Sequence, residues 1–103
     1  MSSPIAVFGS INMDLVIYSN HKPHEGETIF GNSFETFQGG KGANQAVAAS
    51  RLGSDVSFIG KVGNDVFGKQ LQENLISESI NVEMLDSYDG ESGVAFILSL
   101  IHI

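Results

Sequence analysis

Neither cysteine nor tryptophan occurs among the 103 residues, prolines number two, and five cations stand against twelve carboxylates. Without cysteine there is no disulfide framework and no thiolate metal site, which suits a reducing compartment. The cations Lys22, Lys41, Arg51, Lys61 and Lys69 are scattered through a chain whose formal net charge is −7. A sequence-independent nucleic-acid footprint needs a clustered basic face, so no nucleic-acid partner is expected. No apolar run approaches membrane-spanning length, and the polar start with Pro4 leads only into a short apolar stretch. Neither a membrane partner nor a signal peptide is expected, and the expected location is cytoplasmic.

What is present reads as a globular chain, with 42% apolar and 17% charged residues. Its length allows one domain at most, residues 1–103. Ile5 to Phe8 is a short apolar run ending at Gly9, the mark of a buried strand, and Leu15 to Tyr18 is a second β-rich stretch. Ile29 to Phe37 reads as a partly exposed strand with Phe30, Phe34 and Phe37 as packing anchors. A helix follows from about Gly42 to Leu52, with Ala43, Ala46, Val47 and Ser50 on one face and Gly53 as its stop. Val56 to Ile59 predicts a third strand, and Asn64 or Asp65 caps a second helix with Phe67, Leu71 and Leu75 along one side. Ile80 to Leu85 and Val94 to Ile103 read as further strands. The order β, hairpin-like insertion, α, β, α, β predicts a layered α/β fold.

The run Gly39-Gly40-Lys41-Gly42-Ala43-Asn44-Gln45 puts three glycines, a cation and two carboxamides where a loop turns into a helix. Glycines admit close backbone approach and φ > 0, and the first N–H groups of a helix present positive charge to a polar ligand. The spacing is not that of a Walker A loop, and Gln45 stands where a dinucleotide fingerprint needs its last glycine. A nucleotide phosphate is therefore not the expected ligand of this turn; the alternative to a ligand is a tight turn whose Lys41 is merely solvated. Asn12 and Asp14, two apart after a strand, project to one side of an extended segment. A carboxylate that accepts and a carboxamide that both donates and accepts suit a vicinal diol, although Asx turns are the commoner use of such residues. His21-x-x-His24 suggests a metal only weakly, since Pro23 interrupts any helix there. Met13 is bulkier than a turn needs, and nothing in the sequence accounts for it.

Five ordered blocks resemble the N-terminal part of the ribokinase family, the PfkB-type carbohydrate kinases. They are Gly9-Ser10-Ile11-Asn12-Met13-Asp14; Gly26-Glu27-Thr28 with Gly31; Gly39 through Gln45-Ala46-Val47-Ala48-Ala49 to Arg51-Leu52-Gly53; Phe58-Ile59-Gly60-Lys61-Val62-Gly63-Asn64-Asp65 with Phe67-Gly68; and Gly93-Val94-Ala95. The resemblance implies a ribokinase-like layered α/β fold with a small β-sheet lid, here its N-terminal part, with lid segments at about residues 13–38 and 92–101. It implies ATP-dependent phosphorylation of a sugar, with D-ribose giving D-ribose 5-phosphate as the favoured reaction. By the same resemblance Asn12 and Asp14 match sugar-hydroxyl ligands, and Gly40, Lys41 and Asn44 match glycine-loop contacts to the sugar. Such enzymes use an Asp general base on a later Gly-Ala-Gly-Asp loop, which these residues lack, so no catalytic residue is assigned and the chain alone is expected to be inactive. ATP, Mg²⁺ and a monovalent cation (potassium) are implied for a complete enzyme, at sites not in this chain, as is a homodimer formed through lid strands. A related kinase for deoxyribose, fructose or a nucleoside, and a short non-catalytic sugar-binding product, remain the alternatives. The last five or so residues depart from the family pattern.

Overall fold

In the computed structural model, which describes residues 4–100, eight elements follow the expected alternation. They are β1 (Pro4–Phe8), β2 (Asn12–Ser19), β3 (Ser33–Gly39), α1 (Lys41–Arg51), β4 (Asp55–Gly63), α2 (Val66–Ser77), β5 (Leu85–Tyr88) and β6 (Val94–Leu100). The strands form two separate sheets, one of order β1-β4-β5 and one of order β3-β2-β6. All pairs in the first are parallel; in the second, β2 runs antiparallel to β3 and parallel to β6. This is a mixed α/β fold in which the β2–β3 pair leaves the parallel sheet and β6 later comes back to join β2.

The core lies between the parallel sheet and the helices. Val56 and Phe58 on β4, Ala43 and Ala46 on α1, and Leu71 and Leu75 on α2 are each 0% exposed. The small residues of α1 let its axis come close to the sheet, while the i, i+4 spacing of Leu71 and Leu75 puts both on one face of α2. Phe67, the third residue expected on that face, is only partly buried. Met13 belongs to this core: it is buried on the face of β2 turned toward α2 and lines one cleft with Leu71. Its length spans the space between the second sheet and the helix layer, which is why a turn-side residue is large and apolar.

Both helices end in a Schellman motif. In α1 Gly53, at φ +99°, donates to the Ser50 carbonyl at 3.0 Å and Ser54 donates to that of Ala49 at 3.1 Å. In α2 the same pattern uses Ser79 at φ +64°, with Ser79 donating to Ile76 at 2.9 Å and Ile80 to Leu75 at 3.1 Å. This corrects the expected strand Ile80 to Leu85. Ile80 is the apolar residue that closes a helix end; Asn81 makes one isolated bridge to Ser57, and the ladder resumes only at Leu85. The strand expected over Ile29 to Phe37 is likewise later, starting at Ser33 and running to Gly39. Phe30, Phe34 and Phe37 are 94%, 59% and 45% exposed, so they do not anchor the core as their size suggested. Residues 101–103, at the end of the expected strand Val94 to Ile103, lie outside the described residues, and so does His102.

Asp65, rather than Asn64, caps α2, its carboxylate accepting from the Gly68 N–H at 2.7 Å. Hydrogen bonds from the Ser92 N–H, then the Ser92 hydroxyl, then Gly68 hold this carboxyl below the ordinary aspartate value of 3.8. A carboxyl with a lowered folded pKa contributes stability that is complete above its unfolded pKa and is lost as pH falls through the folded one. The melting-temperature gap between wild type and Asp65→Asn is therefore expected to be constant from neutrality to roughly pH 5 and to narrow below it. A gap that widens in acid contradicts this. Ser79→Gly, which relieves a left-handed conformation costly for a side chain, is expected to stabilise by roughly 0.5–1 kcal/mol, read from a denaturant midpoint.

Candidate functional site

The second sheet has two unlike faces, and pairing registers sort its residues between them. Met13 pairs with Gln38 and Val94, Leu15 with Thr36 and Phe96, placing these on the face toward α2. Asn12 pairs with Gly39, and Asp14 with Phe37 and Ala95, on the opposite face. Asn12 and Asp14 thus share a side as their spacing predicts, and the Asn12 Nδ2 donates to Asp14 Oδ1 at 2.8 Å. This bond fixes the carboxylate and leaves its Oδ2 without a partner among the described residues.

The glycine turn closes over this pair. A Cβ on Gly39 would lie 2.5 Å from Asp14 Oδ1 and 2.8 Å from Oδ2, so the carboxylate rests where any larger residue would sit. Gly40 is the N-cap of α1 at φ +97°, ψ +132°, a conformation open to glycine alone, and a Cβ there would come 2.6 Å from the Ser10 carbonyl. Gly42 packs on Gly9, where a Cβ would approach the Gly9 Cα to 2.8 Å. The strand end at Gly9 and Ser10, the start of β2, the end of β3 and the first turn of α1 therefore meet at one point.

Of the expected site residues, the structure brings together Asn12, Asp14 and Gly40. Lys41 follows as the first residue of α1 with its side chain exposed, and Asn44 stands one turn along, its N–H donating to the Gly40 carbonyl at 3.0 Å. No hydrogen bond joins the side chain of either to the Asn12–Asp14 pair among the described residues. The helix mouth is less open than expected, because the Ala43 N–H is spent on the Ser10 carbonyl at 3.0 Å. Only the N–H groups of Lys41 and Gly42 remain without an acceptor among the described residues.

Two residues read from the sequence as a packing anchor and as part of a lid segment prove to be neighbours of the Asn12–Asp14 pair. Phe37 flanks Asp14 on β3 and leaves nearly half its surface free, an apolar wall beside a polar pair. Gly93 runs beside Asn12, accepting from the Met13 N–H at 2.9 Å. The alternating pattern of β3 held the first signal; the second is a glycine whose meaning depends on a strand arriving from eighty residues away in sequence. The His21 Nε2 lies 3.8 Å from Glu27 Oε1, and the backbone N–H of His24 donates to the same oxygen at 2.9 Å. Among the described residues no three His, Asp or Glu side chains gather as metal ligands, and no helix is long and apolar enough to cross a membrane.

Residues 2–100 match the sequence profile of the pfkB family carbohydrate kinases. The ribokinase of Bacillus subtilis is 47% identical over 95 residues, covering 91% of this chain and 32% of that protein. The deoxyribokinase of Salmonella typhi is 47% identical over 92 residues, covering 88% of this chain and 30% of that protein. Among solved structures, the ribokinase of Arabidopsis thaliana complexed with ribose and ATP superposes with a TM-score of 0.86 at 34% identity, over 95% of this chain and 32% of that one. The chain thus spans about a third of the length of the relatives it matches. A ribokinase-like α/β fold and a family match over nearly every residue lead to one conclusion: this chain belongs to the pfkB family of carbohydrate kinases.

Proposed function

We propose that these residues form the sugar-binding part of an ATP-dependent sugar kinase, with D-ribose as the acceptor and D-ribose 5-phosphate as the product. The observation that carries this reading is the Asn12–Asp14 pair, hydrogen-bonded at 2.8 Å and laid against the Gly39–Gly40 turn. Asp14 Oδ2 accepts from one sugar hydroxyl, while Asn12 offers both a donor and an acceptor to its neighbour. Gly40, by having no side chain, lets the ring approach the backbone, and Lys41 and Asn44 reach in from α1 as donors. Phe37 and Ala95 give the apolar C–H face of the ring a dry border. A ribokinase at 47% identity and the ribose complex of another relative support the choice of sugar.

ATP as phosphoryl donor, Mg²⁺ and a monovalent cation such as potassium complete this reading, and a cytoplasmic location suits an ATP-dependent enzyme. The donor set for a metal is not among the described residues, so no step is assigned to one here. The second sheet, which overlaps the lid segments expected at about residues 13–38 and 92–101, is read as a lid over the sugar. Ile17, Phe34, Phe96 and Leu98 are 39%, 59%, 77% and 41% exposed on its α2-side face, an apolar surface consistent with pairing of two lids in a homodimer. The deoxyribokinase relative at 47% identity favours deoxyribose as the second acceptor to test.

In a full-length kinase carrying these residues, Asp14→Ala is expected to raise the ribose KM by about 10- to 150-fold, the range for losing a charged hydrogen-bond acceptor of roughly 1.5–3 kcal/mol, and to leave the ATP KM nearly unchanged. Lys41→Ala is likewise expected to raise the ribose KM, and an unchanged value would mark its side chain as merely solvated. An unchanged ribose KM with a lowered melting temperature removes Asp14 from the site. The 103-residue chain by itself is expected to transfer no phosphate, because general-base and transition-state stabilisation, about 10²–10⁴ and 10²–10³ in rate, have no source in it. ADP release that depends on ribose, measured with the purified chain, would overturn this.

A further inference from the structure

The two sheets share no strand, so the second is placed by the packing of Met13 and Leu15 on the helix layer, by the Asn74 Nδ2 donating to Gln38 Oε1 at 2.8 Å, and by the places where the chain crosses between the sheets. There are three such crossings: β1 to β2, β3 through α1 to β4, and β5 to β6. The first two meet at backbone contacts of Gly9, Gly40 and Gly42, where no side chain holds the geometry. The third is built differently. Ser92 is 6% exposed, its N–H donates to Asp65 Oδ2 at 2.8 Å, and its hydroxyl donates to Asp65 Oδ1 at 2.7 Å. The same hydroxyl accepts from the Gly63 N–H at 2.9 Å, which ties it to the end of β4, while Asp65 is tied to α2 through Gly68. The node is close-packed: a Cβ on Gly63 would meet the Ser92 N at 2.2 Å, and one on Gly68 the Ser92 Oγ at 3.0 Å.

The residue after this node reaches the proposed sugar site. Gly93 accepts from the Met13 N–H at 2.9 Å and runs along Asn12, and β6 then pairs with β2 from Met13 onward. We propose that Asp65 and Ser92 are positioning residues for the sugar site: they anchor the third crossing to the parallel sheet, so that Gly93 seats β2 with Asn12 and Asp14 at the right depth against the Gly39–Gly40 turn. An N-cap alone needs only the Gly68 bond; the second oxygen of Asp65 and both polar groups of the buried serine are committed to the crossing instead. The sugar-kinase part of this inference rests on the function proposed above.

The test uses Asp65→Asn, Ser92→Ala and the double variant in the full-length protein carrying these residues, with sugar and ATP varied separately, melting curves, and amide hydrogen exchange read at Met13, Ser92 and Phe58. Ser92→Ala keeps the helix cap intact, so it remains informative if Asp65→Asn folds poorly. The expected result is an apparent sugar KM raised about tenfold in each single variant, an ATP KM within about twofold of wild type, and a double variant no worse than the worse single one, because both act through one contact. Exchange at Met13 and Ser92 is expected to accelerate about tenfold while Phe58 in the core is unchanged. A lowered melting temperature with an unchanged sugar KM, or Met13 exchange no faster than in wild type, overturns the proposal. Wild-type protein that phosphorylates no sugar overturns the proposed function alone, and the exchange at Met13 then decides the anchoring by itself.

Discussion

Everything in the site depends on how near one helix comes to one strand end. Gly42 at the start of α1 lies against Gly9 at the end of β1, backbone on backbone, and neither position has room for a Cβ. That contact brings the first turn of α1 under the loop that opens β2, spends the Ala43 N–H on the Ser10 carbonyl, and forces Gly40 into a conformation that L side chains rarely adopt. A methyl group at Gly42 would push the helix off the strand and take the glycine turn away from Asp14. Packing of Ala43 and Ala46 on the sheet extends the same close approach along the helix.

Much of this was legible in the sequence because the determining signals are local. Small residues at helical spacing, glycines at or just after the ends of β1, β3 and β4, and an Asp at the mouth of an amphipathic helix each carry their structural reason within a few positions. The same-side placement of Asn12 and Asp14 follows from the strand period alone. What the sequence obscured depends on partners far along the chain. Ile80 looks like the start of a strand, yet it closes α2, because Ser79 adopts a left-handed conformation that a serine does not advertise. Met13 has no local reason for its size; its reason is Leu71 across the cleft between β2 and α2. The exposed phenylalanines of the second sheet misled in the opposite sense, since hydrophobicity reports what a residue prefers to touch and not whether the described residues supply it.

The two sheets differ in how they are held. The parallel sheet and its two helices together carry the side chains that are 0% exposed, whereas the second sheet leaves large apolar residues open on one face and a polar pair on the other. An element so placed draws its stability from its connections more than from its own burial. Close backbone contact at the glycine crossings and a carboxylate node at the third crossing both act around β2.

On the proposed reading of Asn12 and Asp14 as sugar ligands, the hydrogen bond between them has a consequence for stereochemical choice. A carboxylate already clamped at 2.8 Å by its neighbour has little rotamer freedom to lose when a hydroxyl arrives, so binding is spared part of the ordering cost a free aspartate would incur. The same rigidity stops it from following a hydroxyl that is inverted at one carbon. An epimer would therefore leave a desolvated acceptor facing a C–H, and the pair would distinguish sugars by handedness at a single centre more sharply than by ring size.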